Sequence, residues 1–187
     1  MIQTKNDLKY YLEEDRRRSP YRHKHLFFKW LTRSDEYYNI AFMRTLRYYE
    51  YYLNKKRNVF DIIPYYWYWW NHRRLKLKLN FFLPPNVAGP GFFPVHPGYF
   101  RTNKYVHIGK NCTLLPMVLI GKVRPDIDED TFIGDNCYIS TGVTILGPVK
   151  IGNNVTIAAG AVVNKDVPDN VVVAGVPAMV VKIKETE

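Results

Sequence analysis

The sequence predicts an α+β protein in which a helical region is followed by a β-helix built from six-residue repeats. The repeat is the main observation: one branched apolar residue recurs every six positions over residues 133–163, a period that fits neither an α-helix nor a flat sheet. Capping signals and an apolar stripe at helical spacing indicate helices in the first part. We therefore divide the chain into residues 1–79 and residues 80–187.

Four helices are expected in the first region, near residues 5–17, 20–32, 35–57 and 60–72. Thr4, three residues before Asp7, is typical of a capping box, and Ser19 before Pro20 suits a helix start. Ser34 can cap the third helix. That helix is also supported by apolar residues three and four positions apart in a stretch without glycine or proline: Tyr38, Ala41, Phe42, Leu46, Tyr49 and Leu53.

A strand is expected where the two regions meet. The segment RRLKLKLNFFL alternates Leu75, Leu77 and Leu79 with lysines, and a period of two favours a strand. The segment PPNVAGPG then breaks the pattern and marks the entry to the second region.

The six-residue period defines two ladders of side chains that are expected to point inward. The first ladder comprises Ile133, Ile139, Ile145, Ile151, Ile157 and Val163, and the second Cys137, Val143, Val149, Val155 and Ala161. An earlier part follows the same rule with Val106, Ile108, Cys112, Leu114, Val118 and Ile120, before a loop near 122–131. Three six-residue sides close one coil of about eighteen residues. Residues suited to tight corners recur at Gly109, Gly121, Gly134, Gly152, Asn111, Asn136 and Asn154.

Composition limits the remaining possibilities. Cys112 and Cys137 have no further cysteine or histidine at ligand spacing, so we expect buried thiols and no metal site. The opening segment has no signal-peptide core and no apolar run is long enough for a membrane span, which predicts a cytoplasmic protein. Residues 1–79 hold 18 Lys+Arg and 8 Asp+Glu, so the whole net charge of +10 belongs to them. This favours an anionic partner, and the sequence shows no nucleic-acid-binding motif.

Three segments resemble the serine acetyltransferase-like branch of the left-handed parallel β-helix acyltransferases: GPGFFPVHPG, IGKNCTLLPMVLIG and AGAVVNKDVPDNVVVAGVPAMVVK. The resemblance covers about residues 80–182 and implies a left-handed coil, acetyl transfer from acetyl-CoA to a hydroxyl group, and a homotrimer with the cofactor between subunits. The first region resembles, more loosely, the shortened helical part of members found with sugar and polysaccharide acetylation.

The resemblance also implies a catalytic base. Acetyl transfer to a hydroxyl needs a group that removes its proton, and imidazole can do so at neutral pH. His96 in PVHPG stands at the position of the family's catalytic histidine, whereas His107 is expected on the outer surface. The family's orienting carboxylate corresponds here to Phe81, fifteen residues before His96, so Asn80 is the candidate orienter that remains nearby.

The cofactor contacts are likewise implied by the resemblance. Small residues match the family's coenzyme A contacts, and two lysines near the last coil could meet the nucleotide phosphates. The assigned residues are Gly121, Thr141, Gly142, Ala158, Ala159, Gly160, Lys165 and Lys182. Tight packing within a β-helix would explain the small residues equally well.

The acceptor is expected to be a sugar hydroxyl in the biosynthesis of a surface polysaccharide or glycan. Serine acetyltransferases have an aspartate where this chain has Val95, and an arginine and a histidine near Glu129 and Asp130, so the partners of an amino acid are missing. The segment IIPYYWYWWNHRRLKLK suits sugar stacking or peripheral contact with the inner face of a membrane, although packing against the β-helix or a neighbouring subunit explains it at least as well. A serine O-acetyltransferase and a non-catalytic basic trimeric scaffold remain alternatives. A zinc-dependent β-helix carbonic anhydrase is excluded because no histidine follows His107.

Overall fold

The helical region contains three helices that the structure describes. The structure is a computed structural model, and it describes residues 1–19, 30–32, 34–56, 58–124, 126 and 129–185. The helices are α1 (Lys5–Arg18), α2 (Asp35–Asn54) and α3 (Ile62–Leu79), the last preceded by a 3₁₀ turn at Val59–Asp61. The helix expected near 20–32 lies mostly outside the described residues. No helix in the described ranges combines the length and apolar character that a membrane span requires.

The predicted helix starts at Thr4 and Ser34 are confirmed. The Thr4 hydroxyl accepts a hydrogen bond from the Asp7 amide at 3.1 Å, and the Asp7 carboxylate accepts one from the Thr4 amide at 2.8 Å. The hydroxyl of Ser34 caps α2 by accepting from the Tyr37 amide. Each cap satisfies backbone N–H groups that the first helical turn leaves unpaired.

The strand expected over residues 75–79 is wrong, because α3 continues to Leu79. Leu75 and Leu79 are four residues apart, so their spacing fits one face of a helix as well as it fits alternate positions of a strand. Both pack against the core, whereas Leu77 between them is exposed. The helix ends at Asn80, whose φ of 57° is left-handed.

From residue 81 onward the chain forms a parallel β-helix with three faces. The first face contains β1 (Phe81–Phe82), β3 (Phe100–Arg101), β6 (Val118–Lys122), β9 (Thr144–Gly147) and β12 (Val162–Val163). The second contains β4 (Val106–Ile108), β7 (Thr131–Ile133) and β10 (Lys150–Ile151). The third contains β2 (Phe93–Pro94), β5 (Thr113–Leu114), β8 (Tyr138–Ile139), β11 (Thr156–Ile157), β13 (Val171–Ala174) and β14 (Met179–Ile183). Paired strands are parallel except β13 with β14.

Both predicted ladders are confirmed as the core of the β-helix. Every ladder residue is buried, and so are both cysteine thiols, which are free. The corner residues Asn111, Asn136 and Asn154 have φ values of 56°, 58° and 54°, as expected for left-handed turns. Because parallel strands stack equivalent side chains on successive coils, one apolar column runs through the β-helix.

The predicted loop between the two parts of the repeat is also confirmed. It joins β6 to β7, and the register is the same on either side of it. Ile108 pairs with Ile133, 25 residues later, whereas Ile133 pairs with Ile151, 18 residues later. The loop therefore adds 25 − 18 = 7 residues to its coil without moving the ladders.

A charged cluster centred on Arg47 joins the helices to the first coil. The guanidinium is fully buried, and it donates to Asp15 of α1 at 2.8 Å and to Glu50 of α2 at 3.0 Å. It also donates to the carbonyl oxygens of Ala88 and Gly89 at 2.8 and 2.7 Å. Burial alone would lower the pKa of Arg47, but the two carboxylates outweigh it and raise the pKa above its ordinary value. Apolar residues of α2 join the β-helix core beside this cluster.

Candidate active site

The backbone around His96 is held from two directions. The Val95 amide donates to the carbonyl oxygen of Leu114 on the next coil at 3.0 Å. The carbonyl oxygen of Val95 accepts from the side-chain amide of Asn39 in α2, also at 3.0 Å. His96 therefore sits on a segment fixed both by the β-helix and by the helical region, while its own side chain is exposed.

Asn39 is a functional candidate that the sequence did not reveal. Its side chain is 2% exposed, and its Oδ1 atom has no hydrogen-bond partner among the described residues. Leaving a buried amide oxygen unpaired costs roughly 1–3 kcal/mol. The residue therefore makes one hydrogen bond, to the carbonyl immediately before His96, at a cost in stability. The carbonyl that it binds lies 56 residues away along the chain, and no local sequence motif predicts this hydrogen bond.

The imidazole of His96 forms no hydrogen bond within the described part of the chain. Asn80, the expected orienter, lies at the end of α3, and its side chain is exposed. The Asn80 carbonyl oxygen accepts from the Phe100 amide at 3.1 Å, which places this residue beside Tyr99 and Phe100. Among the described residues, Asn80 therefore forms no hydrogen bond with the imidazole of His96. Phe81, at the position of the family's carboxylate, is buried in the core.

Five of the six small residues predicted to contact the cofactor, all except Gly121, lie at one corner of the β-helix. We call it the His96 corner: residues 95–99, 115–117, 140–143 and 158–161, where successive coils pass from the third face to the first. The Thr141 hydroxyl donates to the carbonyl oxygen of Pro116 at 2.7 Å, and the Gly160 amide donates to the carbonyl oxygen of Thr141 at 3.0 Å. Thr141, Gly142 and Ala158–Gly160 thus continue, coil by coil, the corner on which His96 stands.

The glycines of this corner differ in the space beside them. A Cβ atom added to Gly98 would lie 2.9 Å from Cβ of Pro116, so close packing requires glycine there. A Cβ atom at Gly160 would meet nothing within 4 Å, and the same is true at Gly121 on the first face. Gly160 also has a left-handed φ of 70°. The surface beyond Gly160 and Gly121 is therefore open, which is what a bound extended chain would need.

The two predicted phosphate-binding lysines lie apart from this corner. Lys165 follows β12 on the way to the second face, and Lys182 lies in β14, where it pairs with Val172 on the third face. Both side chains are exposed. Within one copy of the chain, the structure does not bring them together with the glycines of the His96 corner.

The remaining histidines occupy different surroundings. His107 lies on the outer surface, as predicted, and its Nε2 atom is 2.8 Å from Oδ2 of Asp130. Its ring stacks on Phe132 at 4.9 Å between centroids. His72 is buried between α2 and α3, and burial lowers its pKa from 6.5 to about 4. His23 and His25 lie outside the described residues. His107 is thus the described histidine with a carboxylate partner, on a different face from His96.

Comparison with known proteins agrees with the repeat. Residues 130–165 match the bacterial transferase hexapeptide (six repeats) family. The chain is 40% identical over 81 residues to a 2,3,4,5-tetrahydropyridine-2,6-dicarboxylate N-acetyltransferase of Staphylococcus aureus. That match covers 43% of this chain and 32% of the relative, so the chain spans about a third of the relative's length.

Solved structures of serine acetyltransferases resemble the whole chain. The enzyme from Neisseria gonorrhoeae has a TM-score of 0.69 at 22% identity and covers 97% of this chain and 67% of its own. The soybean apoenzyme has a TM-score of 0.69 at 24% identity and covers 93% and 69%. The Brucella abortus enzyme in complex with coenzyme A has a TM-score of 0.67 at 22% identity and covers 96% and 68%. The fold is therefore a left-handed parallel β-helix preceded by a helical region.

Proposed function

We propose that this protein is an acetyl-CoA-dependent O-acetyltransferase in which His96 is the general base. The observation that supports this best is an exposed imidazole on a doubly anchored segment, at a corner that continues to Gly160, which has open space beside it. The hexapeptide match and the similarity to a structure in complex with coenzyme A point to the same chemistry.

His96 would carry the proton in this reaction. One ring nitrogen accepts the proton of the acceptor hydroxyl as its oxygen bonds to the acetyl carbon. The bond from that carbon to sulfur breaks, and the imidazolium returns the proton to the departing thiolate. Acetyl-CoA supplies the acetyl group and the thiol leaving group. The Asn39 bond to Val95 would hold the histidine's backbone during these steps. Asn80 is the proposed orienter that lies nearest in the sequence, and it would need a hydrogen bond to the ring that the described residues do not form.

The residues present fit an extended thioester cofactor. The open surface at Gly121 and Gly160 leaves room for a narrow chain. The amides of Gly142, Ala158 and Gly160 already donate to carbonyl oxygens of the β-helix, so in the described part of the chain the Thr141 and Ala159 amides are the ones that can donate to its carbonyl oxygens. Because Lys165 follows β12 of the first face and Lys182 lies within β14 of the third face, neither is part of this corner, and their proposed role requires phosphates that extend away from it or belong to a cofactor shared with a neighbouring subunit. We propose such sharing in a homotrimer, with residues 80–187 as the acetyltransferase domain and residues 1–79 as an appended helical domain.

For the acceptor we propose a sugar hydroxyl of a glycan, handled at the inner face of a membrane. Val95 is apolar where an ammonium group would need a carboxylate. The loop before β7 carries two acids: Glu129, which is exposed, and Asp130, which is half-buried and lies against His107. These acids lie on a different face from His96 of the same chain, so they would repel an acceptor carboxylate if the proposed homotrimer brings the loop to the His96 of a neighbouring subunit. L-serine is the second candidate, because the similar solved structures are serine acetyltransferases. A non-catalytic basic trimer is the alternative from another class.

The decisive experiment is thiol release from acetyl-CoA by the wild type, His96→Ala and the matched control His107→Ala. The acceptors would be L-serine, monosaccharides, nucleotide sugars, oligosaccharides and an amine. We expect release with a sugar that falls at least about a hundredfold in His96→Ala and persists in His107→Ala. Release with serine alone would overturn the sugar proposal. Loss in His107→Ala with retention in His96→Ala would move the base to the His107–Asp130 pair. Acetyl-CoA binding without turnover of any acceptor would favour the scaffold.

A further inference from the structure

An apolar and aromatic stripe covers the outward side of α3 and the turn before it. We call it the aromatic face and define it as Phe60, Ile63, Tyr66, Trp67 and Trp70. The exposed fractions of Phe60, Ile63, Trp67 and Trp70 are 84%, 82%, 65% and 55%. From Ile63 onward these residues recur at three and four positions, so they share one side of the helix. So many neighbouring exposed aromatic rings indicate a contact surface.

The opposite side of α3 is already packed. Tyr68 stacks on Tyr48 of α2 with 4.7 Å between ring centroids, and His72 lies against Phe42 at 5.0 Å. Leu79 is buried in the common core. The helix is therefore fixed on α2 by one side, and the aromatic face is not needed for that packing.

Cations continue the same side of the helix toward its C-terminal end. Arg73 and Arg74 are exposed there beside the exposed Leu77, whereas the ammonium group of Lys78 donates to the Tyr38 hydroxyl of α2. The sequence of α3, Ile62–Leu79, contains no aspartate or glutamate. An apolar, tryptophan-rich stripe that ends in arginine and lysine is the pattern of a helix lying in the plane of a bilayer interface.

We propose that α3 lies flat on an anionic membrane surface, with the aromatic face inserted at the headgroup level and Arg73 and Arg74 against lipid phosphates. The charge argues against a second copy of the chain as the partner. Packing two copies of this face together would bury its arginines with no acid in either helix to pair with them. A surface of anionic lipids supplies the missing negative charge, and each Lys or Arg near it strengthens binding about fivefold.

This inference concerns a different surface from the His96 corner and does not depend on acetyl transfer. It adds the element that would contact the membrane and the lipid charge that it requires. The test is therefore a binding measurement on the full chain, and thiol release is assayed separately.

The experiment is co-sedimentation with vesicles of phosphatidylcholine alone and with vesicles that contain 30% phosphatidylglycerol, at about 0.05 and 0.5 M salt. We expect binding to the anionic vesicles that weakens in high salt, with a blue shift of tryptophan fluorescence. Trp67→Ala with Trp70→Ala should weaken binding at least about tenfold, since each ring buries a large apolar area. The matched control is the exposed Tyr10→Ala on α1, which should bind like the wild type.

Charge is tested with a second pair of variants. Arg73→Gln with Arg74→Gln should weaken anionic binding about twentyfold, whereas Lys110→Gln with Lys150→Gln, on exposed positions of the β-helix, should not change it. Circular dichroism of each variant checks that the helices remain. Failure of the wild type to bind anionic vesicles would overturn the proposal, as would equal loss in the control variants. Self-association that disappears in the tryptophan double variant, without vesicle binding, would assign the face to a second copy instead.

Discussion

In the β-helix the same apolar contact is repeated on coil after coil, whereas the helical region is joined to the first coil by a polar cluster around Arg47 that has no repeat. Each ladder residue packs against equivalent side chains on the coils above and below. The loss of one side chain therefore leaves the other contacts of the ladder in place. Arg47 has four oxygen-bearing partners from α1, α2 and the first coil, and none of them duplicates another. The helical region, which fixes the His96 segment through Asn39, should therefore depend on few residues.

The largest effect is expected from breaking the cluster. Arg47→Met leaves Asp15 and Glu50 buried without their cation and should lower the free energy of unfolding by about 3–5 kcal/mol. Urea unfolding at one fixed protein concentration measures this. Arg44→Met, on the exposed side of the same helix, is the matched control. If the free energies of unfolding of the two variants differ by less than about 1 kcal/mol, the Arg47 cluster does not stabilise the helical region as we infer.

A cavity in the ladder tests the other side of the comparison. Ile145→Ala removes buried carbons from the middle of the column and should cost about 2–5 kcal/mol, whereas Ile145→Val should cost about 0.5–1.5 kcal/mol. The same urea series gives both values. If the alanine variant is no less stable than the valine variant, the expected cost is wrong. That result would mean that neighbouring coils collapse into the cavity.

His72 makes the helical region sensitive to acid. Burial lowers its pKa from 6.5 to about 4, so the unfolded chain binds a proton first as the pH falls. Stability should thus be full above about pH 6.5 and decline toward pH 4, by about 3 kcal/mol at most from this group. Urea unfolding at pH 7 and pH 5 measures the decline. His72→Leu should reduce it, and an unchanged decline in that variant would show that other groups cause it.

The smallest effect on stability is expected at Asn39. Asn39→Leu removes the bond to Val95 and also removes the unpaired Oδ1 atom, so the two terms partly cancel to within about 1 kcal/mol. If the residue positions His96, kcat of the proposed reaction should fall about tenfold with little change in KM for acetyl-CoA. Asn54→Leu, which breaks an amide pair at the other end of α2, is the control. An equal fall in both variants would point to a general loss of packing.

The parts that the sequence predicted are those governed by local periodicity. The ladders, the left-handed asparagine corners and the loop before β7 follow from a repeat in which every residue sees the same neighbours. The end of α3 could not be predicted from periodicity, because the spacing of Leu75 and Leu79 fits both a strand with a period of two and a helix with a period near four. Asn39 and Arg47 were missed because each donates to backbone carbonyls about forty or more residues away, and any residue type can supply a backbone carbonyl. His96 itself was indicated only by the resemblance.

The seven extra residues between β6 and β7 show how such a molecule can change. These residues leave one coil and return to the next in register. The buried ladders of the β-helix therefore do not depend on the length or composition of the loop. A segment of this kind is an exchangeable part: replacing it would alter what approaches this side of the β-helix while the interior stays as it is. A scaffold that tolerates such exchanges can acquire new acceptors by altering loops, without refolding its core.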